Sequence, residues 1–359
     1  MSSIWGEKIK LSIFGESHGS GIGVVLDGLP AGEKIDMDEI IFQMSRRAPG
    51  KDKTSTQRKE LDIPEIISGY YNGHTTGTPL TAIIKNNDMH SGDYSDLNSV
   101  PRPGHADFTG AIKYNGFNDY RGGGHFSGRL TAPMVFAGAV CRQILSRKGI
   151  EIAAHIYSIA NISDNAFDSV NINTGTLKRL GIKKFPVLNE QIEADMRSCI
   201  ETARLELDSV GGIVECATVG LPAGLGDPIF GGIENKLSSI LFGIPALKGI
   251  EFGDGFSSTT LRGSQNNDPF IFENGKVKTL TNHHGGILGG ITSSMPLIFR
   301  VAFKPTPSIY KKQQTVDIRN KKNIELEIQG RHDPCIVIRA VPVVEALTAI
   351  CLLEIICGK

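Results

Sequence analysis

Six short segments of the chain set ionisable side chains beside glycine or proline, and chemistry would be done there. Gly15-Glu16-Ser17-His18-Gly19 ends the apolar run Lys10 to Phe14. A His between small residues at a strand end reaches a ligand with little hindrance and can give or take a proton near neutral pH. Its bland alternative is a turn in which the ring caps a backbone group. Arg46-Arg47-Ala48-Pro49-Gly50-Lys51-Asp52-Lys53, with Arg58 and Lys59 beyond, gathers cations around a Pro-Gly turn. They would clamp an anion, or merely complement a helix C-terminus. Pro101-Arg102-Pro103-Gly104-His105-Ala106-Asp107 hangs three ionisable groups from a stiff loop, although His105 and Asp107 could simply bond within the turn.

Arg121-Gly122-Gly123-Gly124-His125-Phe126-Ser127-Gly128-Arg129 precedes a long helical pattern. Free glycine amides at a helix N-terminus make an anion site, two Arg strengthen it, and the Phe could cover an aromatic ring. Asn282-His283-His284-Gly285-Gly286-Ile287-Leu288-Gly289-Gly290, followed by Lys304-Pro305-Thr306-Pro307-Ser308, suggests close backbone approach to something flat or phosphorylated. The adjacent His pair lacks metal-ligand spacing, so no metal is expected. Gly330-Arg331-His332-Asp333-Pro334-Cys335 carries an Asp into an apolar segment, where Arg331 or Arg339 would partner it. If these loops converge, they bind an anionic, phosphorylated small molecule and offer His and Asp for proton transfer.

The elements that must position them follow from periodicity. Ile22 to Leu26 and Leu80 to Ile84 read as strands, and Asp36 to Arg47 as a helix stopping before Pro49-Gly50. Thr131 to Lys148 reads as a buried helix of small residues, with Pro133 in its first turn and Gly149 as its cap. Glu190 to Asp208 and Ala340 to Cys357 read as two more helices. The lysine-rich stretch Tyr310 to Asn323 reads as a mobile loop, and Asp88 to Pro103 as a long polar one. "VVLDGLPAG" (Val24 to Gly32) is echoed by "CATVGLPAG" (Cys216 to Gly224), and each precedes a helix-like segment. This is either a duplicated unit or chance turn chemistry.

Lys plus Arg equals Asp plus Glu at 38 each among 359 residues, so net charge gives no reason to expect nucleic acid or membrane as a partner. The six Cys form no C-x-x-C pair, which suits reduced thiols in a cytoplasmic protein. The N-terminus has no signal-peptide pattern, and no stretch is read as approaching the roughly 20 apolar residues of a membrane span. The 42 Gly cluster in motifs rather than in low-complexity runs.

"GESHG…LDGLPAG", "RPGHAD", "YRGGG…SGR", "LRGSQNND", "NHHGGILGGI" and "GRHDPC…IRAVPVVEA" run in that order from about Leu11 to about Leu353. Together they resemble the chorismate synthase family. The resemblance implies an α+β fold, a β-α-β sandwich with antiparallel sheets, long buried helices and an internal pseudo-repeat. It implies one domain over 1–359 with halves near 1–150 and 205–359, assembled as a homotetramer. The implied reaction removes phosphate from C3 and a hydrogen from C6 of 5-enolpyruvylshikimate 3-phosphate, using reduced FMN without net redox change. By resemblance His18 would protonate the departing phosphate, His105 would supply a proton near flavin N1, and Asp333 would assist proton removal at N5. Arg47, Arg102, Ser127, Arg129 and Arg331 would hold substrate anions or the nearby flavin. FMN would lie against His125, Phe126, Ser127, Pro245, Ala246, Gly289, Lys304, Pro305, Thr306, Pro307, Ser308 and Arg331. Arg47 and Lys53 are linked to NADPH, the implied reductant. Many members carry Arg-Ser or Arg-Ala at His125-Phe126 and Arg at Lys53, and a Lys lacks the bidentate fork of Arg. A flavin reductase on the same fold and a non-catalytic binder of phosphorylated metabolites are the rival readings. NADPH oxidation without shikimate substrate would mark the first, and unchanged ligand affinity in His18→Ala with no activity to lose would mark the second.

Overall fold

The computed structural model describes residues 3–50, 62–87, 99–328 and 332–358. Lys51, Asp52, Lys53, Arg58, Lys59, Arg331 and the 88–98 part of the first polar loop lie outside the described residues. The first sheet begins with β1 (Ile4–Trp5), β2 (Lys10–Gly15) and β3 (Gly21–Asp27). Helix α1 (Met37–Arg47) follows, then β4 (Glu65–Ser68), a small β5–β6 hairpin (Tyr70–Tyr71, His74–Thr75) and β7 (Leu80–Lys85). The order is β1-β2-β3-β7-β4, antiparallel throughout. Alternation buries one face: Leu11 and Ile13, then Ile22, Val24 and Leu26, then Leu80, Ala82 and Ile84. Asp36 caps α1, accepting from the Asp38 and Glu39 amides at 3.0 and 3.2 Å, and so fixes where Arg46 and Arg47 emerge at its other end.

The chain continues through α2 (Asp107–Lys113), α3 (Thr131–Arg147), β8 (Glu151–Ile159), β9 (Ile162–Ser163), α4 (Thr174–Leu180), α5 (Ile192–Leu205) and β10 (Gly212–Val219). Next come α6 (Ile233–Leu241), β11 (Leu247–Phe252), α7 (Gly263–Asn266), the β12–β13 hairpin (Phe270–Glu273, Lys276–Thr279) and the β14–β15 hairpin (Ile287–Leu288, Ile291–Thr292). Strand β16 (Leu297–Phe303), the β17–β18 hairpin (Gln313–Asp317, Lys322–Leu326) and α8 (Val337–Gly358) finish it. The second sheet, ordered β11-β16-β10-β8-β9, is also antiparallel. Helices α3 and α8 lie between the sheets, α3 touching β2, β3, β7 and β8, and α8 touching β8 and β10. Their contact is tight enough that a Cβ on Gly138 would fall 2.3 Å from Ala346 Cα. The architecture is the expected β-α-β sandwich with long buried helices. Each "LPAG" turn leaves the middle strand of its sheet, β3 or β10, and leads to a helix, α1 or α6.

Three readings need correction. The polar stretch Tyr310 to Asn323 is largely the β17–β18 hairpin, and Thr315 Oγ1 ties it down by donating to Pro101 O at 2.6 Å. The helix read as Glu190 to Asp208 is shorter, Ile192–Leu205, because the chain turns at Leu207 with φ 60° and Asp208 N bonds back to Ala203 O. Helix α8, at 22 residues, is long and apolar enough to span a membrane, which the sequence reading denied. Its two carboxylates are both served inside the fold. Glu345 pairs with Arg46 and Arg142 and accepts from Ala154 N at 3.0 Å. Glu354 accepts from the backbone amides of Glu7, Lys8 and Ile9. Most of the helix is buried, as a core helix would be.

Candidate active site

A cleft of about 710 Å³ opens where the segments after α1 and α6 face the start of α8. Its walls come from Ser17–His18, Arg47–Pro49, the 102–106 and 122–131 loops, 242–248, 303–308 and 332–343. Five of the six segments singled out in sequence thus supply lining residues, together with the Lys304 to Ser308 run. The Asn282 to Gly290 run does not. There His283 Nδ1 donates to Asp254 at 2.6 Å, and His284 faces Asp268. Gly285 and Gly286 press on the backbone of Gly253 and Leu297, so these glycines serve chain-to-chain approach. Gly289 sits exposed at the β14–β15 turn and Pro305 is not on the wall.

The triple-glycine loop does something its amides did not suggest. Gly122, Gly123 and Gly124 all have positive φ, at 58°, 88° and 52°. A Cβ on Gly122 would lie 2.1 Å from His18 Cε1, and one on Gly123 would lie 3.0 Å from His105 Nε2. The loop is therefore a seat for two imidazoles, and it places the His18 and His105 rings against adjacent residues. Ser17 N donates to Gly124 O at 3.1 Å and locks the His18 turn onto the seat. Asn86, at the end of β7, clamps the same turn by donating to Glu16 O and Gly19 O, each at 2.9 Å.

Arg47 and Arg129 lie buried side by side. Arg47 Nη1 donates to Arg129 O at 3.3 Å, and Arg129 Nε donates to Asn86 Oδ1 at 3.0 Å. Asp62, buried beneath them, takes Arg47 at 3.4 Å and Arg129 in a closer ion pair. Burial pushes the Asp62 carboxyl up, but the two guanidiniums outweigh it and hold it below the ordinary range. Arg102 is engaged with Asp107, Nε to Oδ2 and Nη2 to Oδ1, both at 2.7 Å. Its Nη1 reaches Ser308 Oγ at 3.4 Å.

His125 is held at both ring nitrogens: Nδ1 donates to Gly15 O at 2.9 Å, and Nε2 accepts from Ser3 Oγ at 2.9 Å. Phe126 packs beside Tyr114, ring centroids 6.3 Å apart. Ser127 Oγ accepts from Arg129 N at 3.2 Å and starts the turn that aims Arg129. Across the cleft Asp333 pairs with Arg339 at 2.5 Å, and Arg339 Nε donates to Arg47 O at 2.9 Å. Pro245 and Ala246 line the opposite wall, Ala246 with φ 70° and its carbonyl bonded to Lys304 N at 3.0 Å. Lys304 Nζ bonds Gly104 O, and burial together with Lys248 holds its ammonium below the ordinary lysine value.

Asp62, Asn86 and the role of Arg339 toward Arg47 were not legible in sequence. Each is a single polar residue outside any Gly-rich motif, and its partner is far away in the chain.

Among the described residues the lining carries six cations (Arg47, Arg102, Arg129, Lys248, Lys304 and Arg339) against one carboxylate, Asp333. The family model described as chorismate synthase matches residues 9–357. A chorismate synthase of Pyrococcus abyssi is 48% identical over 350 residues, covering 97% of this chain and 96% of the relative. One from Dehalococcoides mccartyi is 47% identical over 357 residues, covering 99% and 96%. A crystal structure of a chorismate synthase superposes with a TM-score of 0.76 at 27% identity, covering 99% of this chain and 93% of that one. Ordered motifs, a cationic cleft with two seated imidazoles, and near-complete coverage agree: the chain belongs to the chorismate synthase family.

Proposed function

We propose that this cleft performs the family's elimination, with His18, His105 and Asp333 moving protons and buried arginines holding the substrate. The reaction converts 5-enolpyruvylshikimate 3-phosphate to chorismate, a carbon–oxygen lyase step of aromatic amino acid biosynthesis. The cationic excess carries the reading, six lining cations against Asp333 in the lining and Asp62 and Asp107 behind it, because the substrate bears a phosphate and two carboxylates. Arg47 and Arg129, pre-set by Asp62 and Asn86, bind anionic groups without first having to be ordered. His18 donates a proton to the departing phosphate. His105 holds a proton for the cofactor, and Asp333, paired with Arg339, accepts one.

The lining also suits FMN. Ile244, Pro245, Leu247, Ile336 and Val343 offer apolar surface to a flat ring, with Phe126, His125 and Ser127 nearby and Lys304, Thr306 and Ser308 at hand for its polar groups. Reduced FMN, when bound, would supply transient electron donation that weakens the allylic C–O bond and recovers the electron, without net redox change. The protein's part is to exclude water, neutralise charge and place proton donors. NADPH is our proposed reductant, on the family's pattern at Arg47 and Lys53. We take the working assembly to be a homotetramer. Exposed Phe256, Phe270, Phe272, Val277 and Leu280 support a surface that another copy covers. Unpaired cysteines support a cytoplasmic setting.

The test is an anaerobic assay with chemically reduced FMN and 5-enolpyruvylshikimate 3-phosphate, following chorismate absorbance and phosphate together. Equal formation of both, lost when the flavin is oxidised, is the expected result. Binding of both ligands with no turnover would overturn the reading.

A further inference from the structure

We infer that Asp107 is a positioning residue that fixes the tautomer of His105, so that Nε2 is the nitrogen that gives up the proton. The inference rests on the proposed role of His105 and deepens it. Asp107 opens α2 with its side chain buried, and its Oδ1 lies 2.6 Å from His105 Nδ1. The other side of the same carboxylate is fully used: Oδ2 accepts from Arg102 N at 3.0 Å and from Arg102 Nε at 2.7 Å. Oδ1 also accepts from Arg102 Nη2 at 2.7 Å, so the carboxylate cannot swing away from the ring.

Arg102 Nη2 lies 3.0 Å from His105 Nδ1 as well. A guanidinium nitrogen can only donate, so that contact would need a bare Nδ1. The carboxylate contact is shorter and charge-assisted, and the second N–H of Arg102 Nη2 has a bare Nε2 within reach at 3.4 Å as its acceptor. Nδ1 therefore carries hydrogen and donates to Asp107. The neutral ring keeps its lone pair on Nε2, which lies against the Gly123 seat, and the residue lines the cleft. When the ring is an imidazolium, the proton it transfers leaves Nε2, and the Nδ1–H bond to Asp107 stays intact. A plainer role exists: an acid in the first turn of a helix, paired with Arg102, stabilises α2 whatever the His does.

Two measurements separate these roles. The first uses the wild-type protein labelled with nitrogen-15 in histidine, with His105 assigned by its loss in His105→Gln. The neutral ring should show Nδ1 protonated and Nε2 bare. An Nε2–H tautomer in the wild type overturns the inference whatever the activity of any variant. The second is a cycle of Asp107→Asn, His105→Gln and the double variant under anaerobic turnover. The Asn side chain can donate to Nδ1, so kcat should fall about 10²-fold. The double variant should be no slower than His105→Gln alone. Additive losses would overturn the inference and leave Asp107 a helix residue. Full activity in His105→Gln would instead remove the proposed role of His105 itself, whatever tautomer is found.

Discussion

Gly122→Ala should disable the enzyme while leaving it folded, and the structure sets the size of the effect. The new Cβ would lie 2.1 Å from His18 Cε1, 2.3 Å from Nδ1 and 3.0 Å from Ser17 Oγ. Ordinary contact begins near 3.4 Å, so the ring must retreat by about 1.3 Å. It cannot carry the turn with it, because Asn86 and Gly124 hold that turn at Glu16, Ser17 and Gly19. A displacement of roughly 1 Å in a reacting group costs about 10²-fold, which is the expected fall in kcat. The residue also keeps φ 58°, where an Ala costs about 1–2 kcal/mol. Gly32→Ala supplies the control: φ is 81°, nothing lies within 4 Å, and the site is remote from the cleft lining. Both variants should lose similar stability in thermal unfolding, and only Gly122→Ala should lose turnover in the anaerobic assay. If Gly122→Ala kept a third or more of wild-type kcat, the seat would not be what positions His18.

Other predictions reach different parts of the molecule. Arg129→Lys forfeits the Nε bond to Asn86 that aims the side chain and the fork it offers an anion; losing one charge-assisted hydrogen bond to the substrate, about 1.5 kcal/mol, raises substrate KM roughly tenfold, read from steady-state kinetics. Gly138→Ala drives a Cβ to 2.3 Å from Ala346 Cα in the α3–α8 contact and should cost about 3 kcal/mol in urea unfolding, with KM unchanged. His155, wholly buried, donates to Asp164 at 3.1 Å and to Glu215 at 3.0 Å, so His155→Gln should cost about 3 kcal/mol by breaking a buried charge cluster. Burial pulls the His155 pKa down, but the two carboxylates outweigh it and raise it. Its stabilisation is therefore complete below the unfolded value near 6.5 and fades as pH rises through the folded one. Urea unfolding at pH about 6 and about 9 should show wild type losing more stability than His155→Gln across that window.

What the sequence disclosed and what it hid divide along chain distance. Helix α1 was readable to its ends because Asp36 caps it and Pro49 stops it, both local effects. The same holds for α3, whose start at Thr131 and cap at Gly149 are signals within a few residues. Motifs were readable as chemistry, but their arrangement was not. "RGGG" announced an anion-binding loop by its amides, and the fold uses it to make room for two imidazoles. That use depends on a strand end and a loop meeting the glycines, His18 from 104 residues away in the chain. Asp62 has no motif at all, yet it faces both Arg47 and Arg129. The "NHHGG" run shows the converse. Paired glycines beside histidines look like a ligand cradle, but here their missing Cβ atoms admit backbone, and each His has an Asp partner of its own. Glycine in a sequence marks where something comes close; only the fold says whether that is a ligand, a ring or the chain itself. In this protein the rings are the case to test, because Gly122 and Gly123 leave the His18 and His105 imidazoles room that a Cβ would take.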